Sequence, residues 1–359
     1  QVTVTDQRLD MLPMAQAIAT SKTLKGDDDA FMILNLDMVD YAYTAWQREL
    51  PEIELFYAVK CNSDEAILRS LAALGAGFDC ASKEEIDVTR MGVSPDRIIY
   101  ANSCKSSKFI AHAECKGVAM MTFDSIEELE KIAAHHKNPK LLLRFAASDP
   151  TAIHPPTGKY GAGPEKMTPE LLKRAIELGI NIAGVSFHVG SGCNDPSAYR
   201  SAIQHARDLV DYGISLGHKM QIVDIGGGFP GSEKQDASFV KMASIIRSAI
   251  NELFPEPDVR LIAEPGRYIF RSRCQIFSGP LQIRRNTALH AGCECGRAHY
   301  YINDGVYGSF NCTVMDHMPK AGRPLFDAEG DVYPTTIWGP TCDSGDRIEN
   351  FTVTLLDLP

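Results

Sequence analysis

Between residues 53 and 263 short apolar runs alternate, again and again, with stretches of helical character, and nothing else in the chain restricts its fold as strongly. The candidate strands are 53–60, 77–80, 97–100, 118–123, 140–145, 182–188, 221–225 and 260–263. Between them lie helix signals. Ser63 can cap a helix on which Ile67, Leu71 and Leu74 share one face, with Gly75 as its stop. Ser82 with Glu85, and Ser125 with Glu128, have capping-box spacing, and Thr168-Pro169 reads as a cap followed by proline at the first helical position. Eight strands separated by helices predict an α/β architecture, a (β/α)8 TIM-like barrel; a doubly wound open sheet is the alternative, since closure is not visible in a sequence. The reactive residues favour the barrel. Lys60, Asp79, Arg144, His188, Gly226 and Glu264 all fall at or just past the C-terminal end of a predicted strand. In a barrel those ends converge on one face.

Past residue 271 the pattern changes: 274–283, 300–303 and 335–338 read as strands with no helices between them. This predicts a barrel over 30–270 and a second, β-rich domain of sandwich or barrel-like form from 1–29 plus 271–359. The stretch 284–299 reads as an exposed loop, and the spacing of its His290, Cys293, Cys295 and His299 fits no familiar zinc pattern, so no metal is expected. A net charge of −10 argues against a nucleic-acid partner, which requires a basic face, but is compatible with a small cationic substrate. No apolar run approaches the ~20 residues needed to cross a bilayer. The first 25 residues lack the apolar core of a signal peptide. The ten cysteines therefore read as reduced thiols of a cytoplasmic protein.

Several segments carry chemistry-bearing side chains. In Phe56-Tyr57-Ala58-Val59-Lys60-Cys61-Asn62, a strand places Lys60 on one face with Phe56 and Ala58. Among apolar neighbours its amine pKa falls and it becomes an imine-forming nucleophile, although a lysine snorkelling to solvent is the commoner role. Asp224-Ile225-Gly226-Gly227-Gly228-Phe229-Pro230-Gly231 follows a strand with glycines whose N–H groups can close on a phosphate, or simply make a tight turn. It lacks the P-loop ending and the dinucleotide spacing. Ala263-Glu264-Pro265-Gly266-Arg267-Tyr268 offers a carboxylate for a pyridine nitrogen and a guanidinium for a phosphate, or a plain surface ion pair. Ser186-Phe187-His188-Val189-Gly190-Ser191-Gly192 offers an imidazole to stack on a flat ring and a hydroxyl for a phosphate. Trp338-Gly339-Pro340-Thr341-Cys342-Asp343 sets a thiol beside a carboxylate, and the thiol can protonate a carbanion. Asp316 and Asp343 are candidates to grip a distant ammonium.

Together the segments FYAVKCN, GFDCASKEE, SFHVGSG, DIGGGFPGSE, AEPGRY, NDGVYGSFNC and WGPTCD resemble the eukaryotic ornithine decarboxylases, within the alanine-racemase-like group of pyridoxal-phosphate enzymes, over roughly residues 30–347. The resemblance implies pyridoxal 5′-phosphate as cofactor, bonded to Lys60, with His188 stacked on its ring and Glu264 partnering the ring nitrogen. Ser191, Gly226, Gly227, Gly228, Pro265, Gly266 and Arg267 would bind the cofactor, chiefly its phosphate, with Asp79 and Arg144 in support. It further implies Cys342 as proton donor from the other subunit of a homodimer, Asp316 and Asp343 as the pair that holds the substrate ammonium, and Tyr307 reaching across the interface. Met315 stands where the family has an aromatic wall of the substrate pocket. The implied activity is conversion of L-ornithine to putrescine. A catalytically inactive relative of the antizyme-inhibitor type, a decarboxylase of lysine or another basic amino acid, and a regulator of antizyme type as partner are the other readings. The stretch 147–158 departs from the family text, and the family continues beyond residue 359 with a Gly-Ala-Tyr segment, so the chain is expected to be a C-terminally incomplete piece.

Overall fold

The computed structural model describes residues 10–147, 149–154, 158–163, 167–231, 236–269, 274–277, 280–285, 298–315, 325–326 and 333–353. The chain divides into two compact units, Asn35–Arg273 and Gln1–Leu34 with Cys274–Pro359. In chain order the elements are α1 (Met11–Leu24), β1 (Phe31–Leu34), α2 (Asp37–Glu49), β2 (Ile53–Ala58), α3 (Glu65–Leu74), β3 (Gly77–Cys80), α4 (Lys83–Ile86), β4 (Ile98–Tyr100), α5 (Ser107–Cys115), β5 (Met120–Phe123), α6 (Ile126–His135), β6 (Lys140–Arg144), α7 (Met167–Glu177), β7 (Ile182–Ser186), α8 (Ser197–Ser215), β8 (Ile222–Asp224), α9 (Asp236–Leu253), β9 (Arg260–Ala263), β10 (Cys274–Phe277), β11 (Pro280–Arg285), β12 (Ala298–Ile302), α10 (Cys312–Met315), β13 (Tyr333–Trp338) and β14 (Arg347–Val353).

Strands β2 to β9 form a closed parallel barrel, sealed where Ile53 of β2 pairs with Leu261 of β9. Closure decides between the two sheet arrangements left open by the sequence. The period of two along each strand then sets the interior in layers. A middle layer of Phe56, Ile99, Met120, Leu142, Ile222 and Ile262 forms a dry plug. Gly77 keeps space for it, because a Cβ there would sit 2.7 Å from the Phe56 ring. Two residues before the plug, Glu54 and Arg260 pair at 2.7 Å, with the guanidinium 5.4 Å from the Phe56 ring centroid. Two residues after it, on the same faces, come Arg144, Asp224 and Glu264, and Asp79 lies in register between Ala58 and Ile99. One alternation therefore yields an apolar floor and a charged mouth.

The local signals mostly hold. Ser82 and Ser125 accept from the N–H groups of Glu85 and Glu128 at 3.2 Å each, and Gly75 ends α3 with φ +97°. Helix α3 is capped by Asp64 rather than Ser63, because Asn62 Oδ1 takes the Asp64 N–H at 2.9 Å and sets the start one residue later. Helix α7 begins at Met167, so Thr168 and Pro169 lie inside its first turn, where a proline forfeits no intrahelical bond. Outside the barrel, Trp46 is fully buried, donates to the Ile53 carbonyl at 2.9 Å, and packs edge-on to Phe229 at 4.8 Å.

In the second unit β1 pairs antiparallel with β10, and β11-β12-β13-β14 form a sheet in which only β12 and β13 run parallel. Its core includes Ile302, Val306 and Ile348. The segment before Phe31 contributes a helix, α1, started by the Asp10 side chain at 3.1 Å. Arg284, Arg285, Ala298 and His299 belong to β11 and β12, so the predicted exposed loop is shorter at both ends; 286–297 lie outside the described residues.

Candidate active site at the mouth of the barrel

Strand β2 ends at Ala58, and one 3-10 turn, Val59–Cys61, lifts Lys60 out of strand register. Tyr57 steadies that turn by donating to the Asn62 carbonyl at 3.0 Å. Lys60 thus does not share the strand face of Phe56, as strand periodicity predicts, but stands in the mouth with its side chain 52 % exposed. Its Nζ donates to Asp79 Oδ2. Burial pulls the ammonium down, but the charges of Asp79 and Glu264 and the Asp79 hydrogen bond outweigh it, and Lys60 is held above the ordinary lysine value. The expected depression by apolar neighbours is overturned, because the residues facing Lys60 come from β3 and the end of β9 rather than from its own strand.

Across the mouth Asp224 and Glu264 form a buried acidic pair. Burial raises both, Asp224 to about 6 and Glu264 well above the usual carboxylate range; the charges of Asp224 and Asp79 push Glu264 further up, while hydrogen bonds from Gly226, Glu264 and Ser186 pull Asp224 part of the way back. Asp224 is anchored by Ser186 Oγ and by the Gly226 N–H, each at 2.9 Å. Glu264 Oε1 and Asp79 Oδ1 are buried and make no hydrogen bond among the described residues. Burial, with help from the charges of Arg144 and Lys60, pushes His188 down to about 3. The Gly190 N–H donates to His188 Nδ1 at 2.9 Å, so the neutral ring carries its proton on Nε2. Arg144 lies 5.2 Å from the Tyr160 ring centroid.

Beside these groups the glycine turn comes close to its neighbours. A Cβ on Gly227 would meet the Glu264 carbonyl at 2.7 Å and His188 Nε2 at 3.0 Å. Gly228, at φ +120°, would place one 2.6 Å from the Gly190 carbonyl. The Glu264 N–H donates to the Gly226 carbonyl at 2.7 Å, and the Pro265 carbonyl accepts from Ala58 at 3.2 Å. A Cβ on Gly266 would touch Cys61 at 3.0 Å. Arg267 Nη2 reaches Ser191 Oγ at 3.4 Å, so two donor-bearing side chains adjoin the turn. Such a cluster of donors beside bare backbone suits a phosphate group.

In the other unit Asp343 accepts from the Tyr307 hydroxyl, and both side chains are exposed, as is Cys342. Their turns hang from Asp346, which is 1 % exposed and accepts from Val306 N at 2.9 Å, Thr341 N at 3.1 Å and Thr341 Oγ1 at 2.6 Å. Met315 ends α10, with its side chain outside the described residues, as is Asp316.

Residues 36–271 match the family described as pyridoxal-dependent decarboxylase, pyridoxal binding domain, and 277–355 match the C-terminal sheet domain of the same decarboxylases. The chain belongs to the pyridoxal-dependent decarboxylase family. It is 50 % identical to an ornithine decarboxylase of Caenorhabditis elegans, over 98 % of this chain and 84 % of that protein. It is 42 % identical to antizyme inhibitor 2 of Xenopus laevis, over 90 % of this chain and 72 % of that protein. Among solved structures, the Paramecium bursaria Chlorella virus arginine decarboxylase bound to agmatine superposes with a TM-score of 0.88 at 33 % identity, covering 97 % of this chain and 92 % of that one.

The decarboxylase mouth fits the family's cofactor on three observations: a lysine paired to a buried acid, an unpartnered glutamate oxygen across from it, and a bare glycine turn beside Arg267 and Ser191. Sequence reasoning missed Asp224, Ser186 and Glu85. Asp224 shares the inward parity of Ile222, a signal overshadowed by the glycines that follow it. Glu85, read only as half of a capping box, takes the Ala81 N–H at 2.7 Å and adds negative charge near Lys60.

Proposed function

We propose that the chain decarboxylates L-ornithine to putrescine and carbon dioxide with pyridoxal 5′-phosphate as cofactor. The observation that carries this reading is the 50 % identity to an ornithine decarboxylase over 98 % of the chain, in a chain whose barrel mouth holds the groups the cofactor requires. Bound there, pyridoxal phosphate supplies an electron sink for the pair left on Cα when carbon dioxide departs.

The protein's own groups orient and protonate. Lys60 Nζ, hydrogen-bonded to Asp79, would be the group that holds the cofactor's aldehyde carbon. Glu264, whose carboxyl is raised by burial and by Asp224, would partner the ring nitrogen and share a proton with it. His188, neutral, would face the ring without adding a competing charge. Ser191, the glycines 226–228 and Arg267 hold the phosphate, with Pro265 and Gly266 shaping the backbone beside it. Asp79 and Arg144 fix the charge balance of the mouth. Cys342 delivers its Sγ proton to Cα, from the second subunit of a homodimer with shared sites. Asp343 and Asp316 would bind the substrate's distal ammonium, with Met315 lining the pocket, and Tyr307 would reach across the interface. On this reading the protein would work in the cytoplasm, with an antizyme-type regulator as a partner.

Release of carbon dioxide from ornithine, lysine and arginine, compared as kcat/KM, tests the assignment; ornithine is expected to lead. One methylene separates lysine from ornithine and is worth only ~1–3 kcal/mol, so lysine is the rival to watch. A result in which ornithine is the poorest of the three overturns the substrate assignment. The similarity to antizyme inhibitor 2 favours a second reading, a non-catalytic regulator. Lys60, Asp79, Glu264 and Cys342 all being in place favours the enzyme, and failure of the purified chain to take up pyridoxal phosphate would favour the regulator.

A further inference from the structure

Asp149 sits on the loop that departs from the family text, yet it is fully buried. Its Oδ1 accepts from Thr151 N at 2.7 Å and Thr151 Oγ1 at 2.6 Å, and its Oδ2 accepts from Asn194 N and Asp195 N, each at 2.9 Å. A single carboxylate thereby joins two loops 45 residues apart in sequence. Further bonds run between the same loops. Asp149 N donates to the Val189 carbonyl at 2.8 Å, Ile153 N to the Gly192 carbonyl at 3.1 Å, and His154 and Ser191 exchange backbone bonds at 3.0 and 3.1 Å. Asn194 Nδ2 returns to the Thr151 carbonyl at 2.6 Å, and Cys193 N donates to the Gly228 carbonyl at 3.0 Å. Ser191 is therefore gripped on its backbone from the Asp149 loop, leaving its hydroxyl to face Arg267. Burial alone would raise the Asp149 carboxyl, but the four donors hold it well below the usual carboxylate range.

We propose that Asp149 is a positioning residue for the cofactor phosphate, its carboxylate holding loop 189–195 so that Ser191 Oγ meets Arg267 beside the glycine turn. The proposal rests on the reading of Ser191 and Arg267 as the phosphate site. Asp149 touches neither substrate nor cofactor and acts through the loop. An asparagine at this position keeps the shape but turns an NH2 toward one pair of donors, so two of the four bonds are lost.

The test compares the affinity of the apo chain for pyridoxal phosphate with its affinity for pyridoxal, which lacks the phosphate, by titration of protein fluorescence. The ratio of the two dissociation constants reports the phosphate site alone. In the unaltered chain pyridoxal phosphate should bind more tightly by about 100-fold or more. A ratio near one there would sink the phosphate reading itself. In Asp149→Asn the ratio should fall by about tenfold, with pyridoxal affinity unchanged. An unchanged ratio, or equal weakening of both ligands, overturns the role of Asp149 while leaving the phosphate site intact. Should Asp149→Asn fail to fold, Thr151→Val removes one donor to the same carboxylate and should lower the ratio by about threefold; no change in that variant also overturns the proposal.

Discussion

The two units organise reactive side chains in opposite ways. At the barrel mouth, Asp79, Asp224 and Glu264 are buried, stand on or just past strands whose alternation continues the apolar plug below, and the charge of Asp79 pushes the other two carboxyls up. In the sheet unit Tyr307, Cys342 and Asp343 are exposed on turns, and a single buried carboxylate, Asp346, ties those turns together. The barrel builds its chemistry into the core, so the energy that closes the barrel also sets pKa values. The sheet unit presents its chemistry on turns, so one bracing residue, Asp346, controls where it sits.

The largest expected effect falls on the barrel. Lys60→Ala should lower kcat/KM for ornithine by about 1,000-fold or more, measured as carbon dioxide release. Gly228→Ala forces a side chain into φ +120° and onto the Gly190 carbonyl, costing ~1–3 kcal/mol of strain. It should weaken cofactor binding by about tenfold or more in a fluorescence titration. Asp346→Ala leaves Val306 N and Thr341 N without their acceptor, at about 1–3 kcal/mol. Urea denaturation should report that loss and turnover should fall, while cofactor affinity holds; equal damage to cofactor binding would break the contrast between the units.

The smallest effect is a pH dependence of the apo chain. His188 stays neutral when folded down to about 3, while the unfolded chain takes up a proton below ~6.5, so this residue removes stability as pH falls through that window. Asp224, raised to about 6, works in the opposite sense, because the folded state there holds a proton that the unfolded state releases above ~4. His188→Gln should therefore cancel up to about 2 kcal/mol of the stability lost between pH 6.5 and 5, measured by urea denaturation at the two values.

These outcomes follow how legibility was divided along the chain. The barrel was readable because strands and caps are local: Ser82, Ser125 and Gly75 act within a few residues of themselves. The position of Lys60 was readable, but its electrostatics were not, since Asp79 and Glu264 reach it from other strands. Asp224 was hidden because only the closed barrel brings it beside Glu264. Asp149 was hidden because its partners lie on a loop far along the sequence. The displacement of the α3 cap from Ser63 to Asp64 came from an Asn62 side-chain bond that competes with the simpler signal. In the sheet unit the motif around Cys342 was plain, yet nothing in the text marked Asp346 as the residue that holds it.

The central claim is that Lys60 carries the cofactor. Loading the chain with pyridoxal phosphate, reducing it with borohydride and mapping the added mass by peptide mass spectrometry tests this directly. The account predicts the cofactor mass on the peptide containing Lys60, and its loss in Lys60→Ala. Label on a different lysine, or a chain that stays unlabelled, would contradict it.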